Sequence, residues 1–236
     1  MGIGIWISGK STPNFEQYAA GTVRKTVFFN YFLPLIEEKN RAIMSIRKKL
    51  LFWRENSDDL GWWQTHQLDK LVIIYRVKNF SVNNKKSWQK LLEKVDVLPP
   101  SLVLAQAANE SAWGTSRFAT QGNNYFGQWC FEQGCGLVPQ QRDSGKAHEV
   151  ATFSSPKKSL GSYMQNLNSH PAYQTLRNIR TQLRINKQPV TGDALAAGLT
   201  SYSERGIEYI EELRAMIKFN KLGKHDQSIN NSKTLL

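Results

Sequence analysis

The segment LPPSLVLAQAANESAWGTSRFA, residues 98–119, is the most informative part of this sequence. Pro99 and Pro100 mark a boundary, because a proline restrains the residue before it and favours the first turn of a helix after it. We predict a helix that begins at Ser101 and ends near Glu110. Its alanines lose little side-chain entropy on folding and allow close packing against neighbouring elements. The segment therefore predicts a buried helix.

Glu110 is the unusual residue of this segment, because it places a carboxylate at the end of an otherwise apolar helix. Burial raises the pKa of a carboxyl group toward the range in which it donates a proton to a leaving oxygen at neutral pH. Trp113 can form a wall of such a site, and Gly114 can turn the chain out of the helix. Judged by position alone, a solvent-facing glutamate at a helix end is the favoured interpretation.

The sequence before this segment is charged and has a helical period. Apolar residues recur every three or four positions between Pro13 and Asp96, which predicts three or four helices with core-facing stripes. These stripes include Val23, Phe28, Phe32, Leu35, Ile36, Ile43, Ile46, Leu50, Trp53, Leu68, Leu71, Val72, Tyr75, Trp88, Leu91, Leu92 and Val95. We assign Trp62 and Trp63 to core packing as well.

The sequence after it changes character twice. Glycine, glutamine, asparagine and short alternating stretches between Gly122 and Phe153 predict a small β-hairpin lobe. Helical periodicity then resumes at about Pro156 and continues to Asn220. After Leu222 the sequence is polar, so we predict that residues 223–236 form a disordered tail.

The charge of the chain does not select a partner. Thirty-one Lys and Arg against nineteen Asp and Glu give a net charge of +12. Such an excess attracts polyanions, including nucleic acid, anionic lipid and anionic wall polymers. A solvated basic surface explains the charge equally well, because the basic residues are scattered. No run approaches the length of a membrane-spanning helix, and no export signal is readable in Met1 to Ser8.

The two cysteines, Cys130 and Cys135, lie close together in the sequence CFEQGC. They are compatible with a disulfide, with part of a metal site, or with two free thiols. A disulfide that closes a tight turn through Gly134 is the preferred interpretation, and it favours an oxidising compartment. We expect no metal and no cofactor, because the histidines show no ligand spacing.

Several of these segments together resemble the bacterial Bax proteins, which belong to the glucosaminidases of glycoside hydrolase family 73. Residues 98–119 combine AQAA, ES and WGxS in one register. Residues 122–130, GNNYFGQWC, resemble the family's Asn-x-Phe-Gly segment, and residues 134–139 continue the likeness. Residues 202–209, YSERGIEY, resemble a late tyrosine-containing motif. The resemblance extends from about Asn14 to Leu222.

This resemblance implies a mainly α, or α+β, fold: a lysozyme-like helical domain with a small β-hairpin lobe and an N-terminal helical extension. Residues 1–97 would form the helical region, packed on a glucosaminidase domain at 98–222. Glu110 would be the general acid, and Tyr202 would line the cleft opposite it. Substrate contacts would come from six residues: Ser111, Trp113, Asn124, Tyr125, Phe126 and Trp129.

A second carboxylate is harder to assign from the resemblance. Many relatives carry a Thr-x-Glu motif in the β lobe, whereas the corresponding residues 137–143 contain none. Asp143 and Glu149 are the nearby candidates for a nucleophile or base. Alternatively, the substrate's own 2-acetamido oxygen attacks the anomeric carbon. Glu149, or acetamido assistance aided by Tyr202, is the preferred interpretation.

The resulting expectation is an endo-β-N-acetylglucosaminidase that hydrolyses the glycan backbone of peptidoglycan. It would act as a monomer in the periplasm or cell envelope and would bind glycan strands but no nucleic acid. Two alternatives remain. A lytic transglycosylase also uses one glutamate and leaves a 1,6-anhydro end, and a non-catalytic wall- or polyanion-binding protein would account for the charge alone.

Overall fold

A computed structural model describes residues 11–139 and 148–230 of the chain. Asp143 and Met1 to Ser8 therefore lie outside the described residues. Within those residues the protein is mainly helical, with one small sheet, as the sequence predicted. The α-helices are α1 (Thr22–Glu55), α2 (Trp62–Ile74), α3 (Lys85–Lys94), α4 (Pro100–Glu110), α5 (Arg117–Gly122), α6 (Pro156–Ser169), α7 (Gln174–Ile185), α8 (Gly192–Ala196), α9 (Ile207–Phe219) and α10 (Gln227–Asn230). Short 3-10 helices cover Phe15–Gln17, Ser57–Asp59, Pro171–Tyr173 and Leu222–Asp226.

Helix α1 forms one side of the molecule. It has 34 residues, which corresponds to a length of about 51 Å. Phe28, Phe32, Ile36, Ile43 and Leu50 lie on its buried face, at the helical spacing that the sequence showed. The three α-helices before residue 98 confirm the prediction of three or four helices in this region.

Helix α4 is the centre of the fold. Proline at its first position needs no hydrogen-bond partner, and the residues from Pro100 to Ala108 are all buried. This helix packs against α1, α8, α9 and the 3-10 helix at Leu222–Asp226. Because neighbours surround it, the helix is apolar on every side and carries no polar stripe. The buried helix predicted from Ser101 is confirmed and begins one residue earlier.

The segment after Leu222 is part of this core, which corrects the predicted disordered tail for residues 223–230. Asp226 accepts hydrogen bonds from the backbone N–H of Ser101 at 2.9 Å and of Gly192 at 3.0 Å. The hydroxyl of Ser101 also donates to Asp226 at 2.6 Å. Ile229 is buried beside it. The polar composition of this segment suggested disorder, but its residue Asp226 binds the first turn of α4 through Ser101. Residues 231–236 lie outside the described residues.

The predicted β lobe is present as a small antiparallel sheet, in which a third strand joins a pair of consecutive strands. Its strands in the described residues are β1 (Trp129–Cys130), β2 (Gly136–Leu137) and β3 (Glu149–Ala151). The order is β1-β3-β2. The consecutive strands β2 and β3 pair antiparallel, and β1 pairs with the other edge of β3 instead of with its sequence neighbour β2, which short-range turn signals could not predict.

The predicted core position of Trp62 and Trp63 is wrong. Their side chains are 76% and 61% exposed, and the ring of Trp62 stacks on His66 at 5.6 Å. Leu68 is the buried residue of α2. The first turn of α2 therefore lies at the surface, because no element in the described residues covers Trp62 and Trp63.

A buried charge cluster joins α1, the end of α3 and α7. Asp96 accepts hydrogen bonds from Arg184 at 2.6 and 2.7 Å, and Arg180 lies 3.7 Å away. Burial alone would raise the pKa of Asp96, but Arg180, Arg47 and Arg184 together lower it. The carboxylate therefore stays ionised and holds these helices together.

None of the helices in the described residues has the length and apolar content that crossing a membrane requires.

Candidate active site

Glu110 is the last residue of α4, and the chain leaves this helix in an unusual turn. Ala112, Trp113 and Gly114 have positive φ angles of 48°, 59° and 80°. Such angles are uncommon for residues other than glycine and concentrate at functional sites. A Cβ at Gly114 would overlap the ring of Phe15. The turn therefore fits tightly against the N-terminal segment and fixes the backbone beside Glu110.

A chain of hydrogen bonds holds the carboxylate of Glu110. The hydroxyl of Tyr209 donates to Glu110 Oε1 at 2.8 Å. Gln106 Nε2 donates to the Tyr209 oxygen at 3.0 Å, and the hydroxyl of Tyr163 donates to Gln106 Oε1. Since the Tyr209 oxygen already accepts from Gln106, its proton is directed to Glu110. We call Tyr163, Gln106 and Tyr209 the donor relay.

The surroundings of Glu110 favour its protonated form. Burial raises the pKa of this carboxyl group, and the hydrogen bond from Tyr209 offsets part of that shift. Glu212 raises the pKa further by charge repulsion, while Arg205 lowers it. The net direction is upward. Burial and the nearby Glu110 also raise the pKa of Tyr209, so the phenol remains a donor.

Gly127 faces the other oxygen of Glu110. Its φ is +60°, and a Cβ at this position would lie 3.1 Å from Glu110 Oε2. Glycine therefore suits this position for both conformation and space. The loop that carries it is shaped by Asn124, whose Oδ1 accepts from the N–H groups of Phe126 at 3.2 Å and Gln128 at 3.1 Å.

Two polar residues predicted to bind substrate are instead internal supports. Asn124 is 1% exposed, and its Nδ2 donates to the carbonyls of Gln128 and Ala151, both at 2.8 Å. Ser111 is fully buried; its hydroxyl donates to Ala107 O at 2.6 Å and accepts from Gly114 N at 2.9 Å. Neither side chain has free hydrogen-bonding capacity facing solvent. The structure thus contradicts a substrate contact from either residue.

The aromatic residues predicted to stack on sugar rings divide into two groups. Tyr125 and Phe126 are 2% and 1% exposed, so their rings offer no surface to a substrate, which corrects that prediction. Phe126 instead stacks on Tyr163 with ring centroids 4.1 Å apart. Trp129 is 51% exposed and meets His148 edge-on at 4.5 Å. Of this set, Trp129 is the ring available to a ligand.

Trp113 is half-buried, and much of its surface packs on other parts of the protein. Its ring lies 5.3 Å from that of Phe29 on α1. The ammonium group of Lys25 lies 4.9 Å from the Trp113 ring and equally far from the Phe219 ring. This residue therefore joins α1, the turn after Glu110 and the end of α9, in addition to any contact with substrate.

Tyr202 lies beside the donor relay. Its ring is parallel to that of Tyr209, at 5.6 Å and an angle of 7°. Its hydroxyl donates to the carbonyl of Phe126 at 2.6 Å. Tyr202 thus supports both the tyrosine that contacts Glu110 and the loop that leads to Gly127.

Glu149 lies in the β lobe, on the central strand β3. Its Oε1 accepts from the N–H of Gly134 at 3.0 Å, and its Oε2 accepts from the N–H of Gly136 at 2.8 Å. These glycines flank Cys135, which forms a disulfide with Cys130 as the sequence favoured. Both carboxylate oxygens of Glu149 therefore bind the backbone of the disulfide loop.

Comparison with known proteins bears on this site. The glucosaminidase family, described as mannosyl-glycoprotein endo-beta-N-acetylglucosaminidase, matches residues 85–222. "Protein bax" of Escherichia coli (strain K12) is 38% identical over 214 residues, which cover 89% of this chain and 75% of that protein. The chain belongs to the glucosaminidase family. It is a glycoside hydrolase, and the matched residues include the whole of α4 and α9.

A solved structure resembles this glucosaminidase more distantly. The catalytic domain of the autolysin Auto from Listeria monocytogenes aligns with a TM-score of 0.48 and 18% identity, covering 89% of this chain and 92% of that one. We draw no argument about the site from this likeness.

Sequence reasoning missed three residues that surround Glu110 in this glucosaminidase. Gln106 precedes Glu110 by one helical turn, and a polar side chain between alanines in the middle of this helix was the available signal. Tyr209 closes the tyrosine-containing motif that begins at Tyr202, and nothing local distinguished the two tyrosines. Glu212 follows Tyr209 by three residues, hence on the same face of α9, and pairs with Arg205 at 2.9 Å.

Proposed function

We propose that this glucosaminidase hydrolyses the glycan backbone of peptidoglycan at an N-acetylglucosamine-linked bond, with Glu110 as the general acid. The observation that carries the proposal is the half-buried carboxyl group at the end of α4, its pKa raised by burial and its Oε1 bound by Tyr209. A general acid must be protonated at the working pH and held in one orientation. The proposal is supported by the burial that shifts the pKa of Glu110 upward and by the hydrogen bond that holds its Oε1.

The direction of the donor relay supports a specific position for the acidic proton. Tyr209 donates to Oε1, so the proton of neutral Glu110 resides on Oε2. That oxygen lies next to Gly127, where a side chain would crowd it. The leaving glycosidic oxygen would approach along this side and take the proton. Glu110, ionised by this transfer, is then stabilised by the hydrogen bond from Tyr209.

Attack on the anomeric carbon accompanies the loss of the glycosidic oxygen; if the acetamido oxygen attacks, it forms a cyclic oxazolinium ion, which water then opens while its proton returns to the ionised Glu110. We propose that the substrate's acetamido oxygen makes this attack, since Glu149 is only 4% exposed and so too buried to meet the anomeric carbon of a sugar. Hydrogen bonds from Gly134 and Gly136 hold Glu149 in that position. Tyr202 would contribute through the Phe126 carbonyl that it holds. Asp143 lies outside the described residues, and Glu212 is a further carboxylate close enough to affect Glu110.

The wider setting follows from this substrate. A peptidoglycan glycan strand would be the partner, and the enzyme would act as a monomer in the periplasm or cell envelope. A disulfide between Cys130 and Cys135 supports that location, because disulfides persist in oxidising compartments.

Digestion of purified sacculi tests the assignment of Glu110. We expect Glu110→Gln to reduce the rate about 10²–10⁴-fold, because the amide keeps the shape but cannot donate the proton. Glu211→Gln is the matched control, since Glu211 is exposed on α9 and pairs with Arg214. Wild-type activity in Glu110→Gln, with an unchanged circular dichroism spectrum, would refute the assignment. Muropeptide analysis gives the bond cleaved: new reducing N-acetylglucosamine ends support hydrolysis, and 1,6-anhydro ends indicate the transglycosylase alternative.

Proton NMR of the first-formed product tests the proposed attack. Acetamido participation predicts retention of anomeric configuration, with Glu149→Gln and Glu212→Gln each within about tenfold of the wild-type rate. Inversion would exclude acetamido participation and require a base-held water. Retention combined with a loss of activity as severe as that of Glu110→Gln in either variant would instead indicate a protein nucleophile.

A further inference from the structure

The β lobe gathers three metal-binding atoms that the proposed reaction does not use. The sulfur atoms of Cys130 and Cys135 and a carboxylate oxygen of Glu149 all lie within 4.8 Å of one another. In the oxidised chain the two sulfurs are bonded to each other. They then lack the thiolate charge with which cysteine binds metals.

The position of Glu149 does not depend on the disulfide. Glu149 is the direct antiparallel partner of Cys130 in the pairing of β1 with β3. Its two oxygens accept from the N–H groups on either side of Cys135. Strand pairing and these hydrogen bonds therefore tie both cysteine-bearing segments to one carboxylate. Cleavage of the S–S bond leaves these ties in place.

We propose that the lobe, once its disulfide is reduced, binds one Zn²⁺ ion through Cys130, Cys135 and Glu149. A dithiol reductant supplies two electrons and two protons, so the S–S bond breaks, two thiols form, and the reductant becomes a disulfide. Zn²⁺ then displaces the two thiol protons, which pass to water, and one oxygen of Glu149 binds the ion. Water takes the fourth position.

The distances suit a tetrahedral ion. Zn–S bonds of about 2.3 Å and Zn–O bonds of about 2.0 Å place ligand atoms about 3.5–3.8 Å apart. The sulfur atoms must move apart from their bonded positions, which side-chain rotation achieves with the two Cα atoms 6.2 Å apart. Thiolate ligands select zinc over calcium or magnesium. Backbone N–H groups that orient a ligating carboxylate are typical of protein metal sites.

The surroundings also give the ion a path to solvent. Cys130 and Cys135 are half-buried, whereas Glu149 is 4% exposed. The ion would therefore enter from the cysteine side and rest on the buried carboxylate. The lobe would then have two alternative cross-links: a disulfide under oxidising conditions and a zinc ion under reducing conditions.

Cobalt titration of the full chain tests this site, with Co²⁺ as the spectroscopic probe. The chain is reduced with a phosphine, desalted without oxygen and titrated. We expect thiolate-to-cobalt charge-transfer absorption that saturates at one ion per chain and disappears when Zn²⁺ is added. The unreduced chain is the first control and should show none. A Cys130→Ser, Cys135→Ser double variant should bind at least about 100-fold more weakly.

The carboxylate is tested in two ways. Glu149→Gln should weaken Co²⁺ binding at least about tenfold while the charge-transfer absorption remains at saturation. If that variant fails to fold, X-ray absorption of the zinc-loaded wild type still measures the ligands, with two sulfur atoms and a shell of oxygen expected. Binding no tighter than that of the double-serine variant would overturn the proposal. So would four sulfur ligands, which two chains sharing one ion would give.

Discussion

The residues around Glu110 act on its carboxyl group in two opposite ways, which suits the general-acid role proposed for it. Burial raises its pKa, and Tyr209 prepares a hydrogen bond that is stronger once the charge develops. Gln106 donates a hydrogen bond to the Tyr209 oxygen. The hydroxyl proton of Tyr209 is therefore directed toward Glu110. If Glu110 is the general acid, burial favours the acid before proton transfer and Tyr209 stabilises its conjugate base afterwards.

Removal of the Tyr209 hydroxyl should alter the pH dependence of the enzyme. The hydrogen bond from Tyr209 lowers the pKa of Glu110, so Tyr209→Phe should raise that pKa further. A general acid acts while protonated, hence activity is lost as the pH rises through its pKa. We expect the alkaline limb of kcat/KM to shift to higher pH, and the maximal rate to fall about tenfold for a lost bond to a charged group.

Tyr202→Phe is the matched control for this shift. It removes the same phenolic hydroxyl from the neighbouring ring, but that hydroxyl donates to Phe126 O and not to Glu110. Tyr202→Phe can lower the rate because it loosens the loop that carries Phe126. The alkaline limb of its kcat/KM profile should remain at the wild-type pH. Equal shifts in the two variants would show that Tyr209 does not act directly on Glu110.

At the scale of elements, the ends of α4 have different tasks. Its C-terminal end carries Glu110, and its N-terminal end is fastened by Asp226 from the short helix that follows α9. Burial raises the pKa of Asp226, and the hydrogen bonds from Ser101 and Gly192 oppose that shift. The position of the helix that carries Glu110 therefore depends on a carboxylate far along the chain.

Asp226→Ala should therefore destabilise the whole domain. The change leaves the N–H groups of Ser101 and Gly192 and the hydroxyl of Ser101 without an acceptor in a buried place. We expect a loss of at least about 2 kcal/mol in the free energy of unfolding, measured by urea denaturation. Asp193→Ala is the control, because Asp193 is 65% exposed and should cost under about 0.5 kcal/mol. Equal losses would contradict this role for Asp226.

The whole molecule carries a net charge of +12, and its proposed substrate is a polymer that bears carboxylates on its peptides. Long-range attraction would then raise the local concentration of enzyme at the wall. This contribution differs from the chemistry at Glu110, because it depends on ionic strength and not on the structure of the bond cleaved.

Salt should therefore separate binding to the wall from catalysis. Between about 0.01 and 0.15 M salt, over which the screening length falls from about 30 to 8 Å, we expect the apparent KM on sacculi to rise. The KM on an uncharged soluble glycan and kcat on both substrates should change little. A salt-independent KM on sacculi would indicate that the basic surface serves solubility alone.

The sequence by itself determined the local features of this protein. The period of Phe28, Phe32 and Ile36 fixed the buried face of α1, because side chains three or four positions apart share one side of a helix. Two prolines and a run of alanines defined α4, since backbone restraint and side-chain entropy act within a few residues. The short spacing of Cys130 and Cys135 made their pairing the preferred one. The motif around Glu110 indicated the family.

Only the tertiary structure decided which residues meet Glu110. Tyr209 lies 99 residues further along the chain and reaches Glu110 because α9 packs on α4. Other tertiary contacts buried Tyr125 beside Phe28 and Phe32, and Trp62 remained at the surface. A periodic pattern shows which residues share a face, but not which element covers that face. Burial and charge interactions depend on neighbours distant in sequence, and the chain specifies those neighbours only through its complete packing.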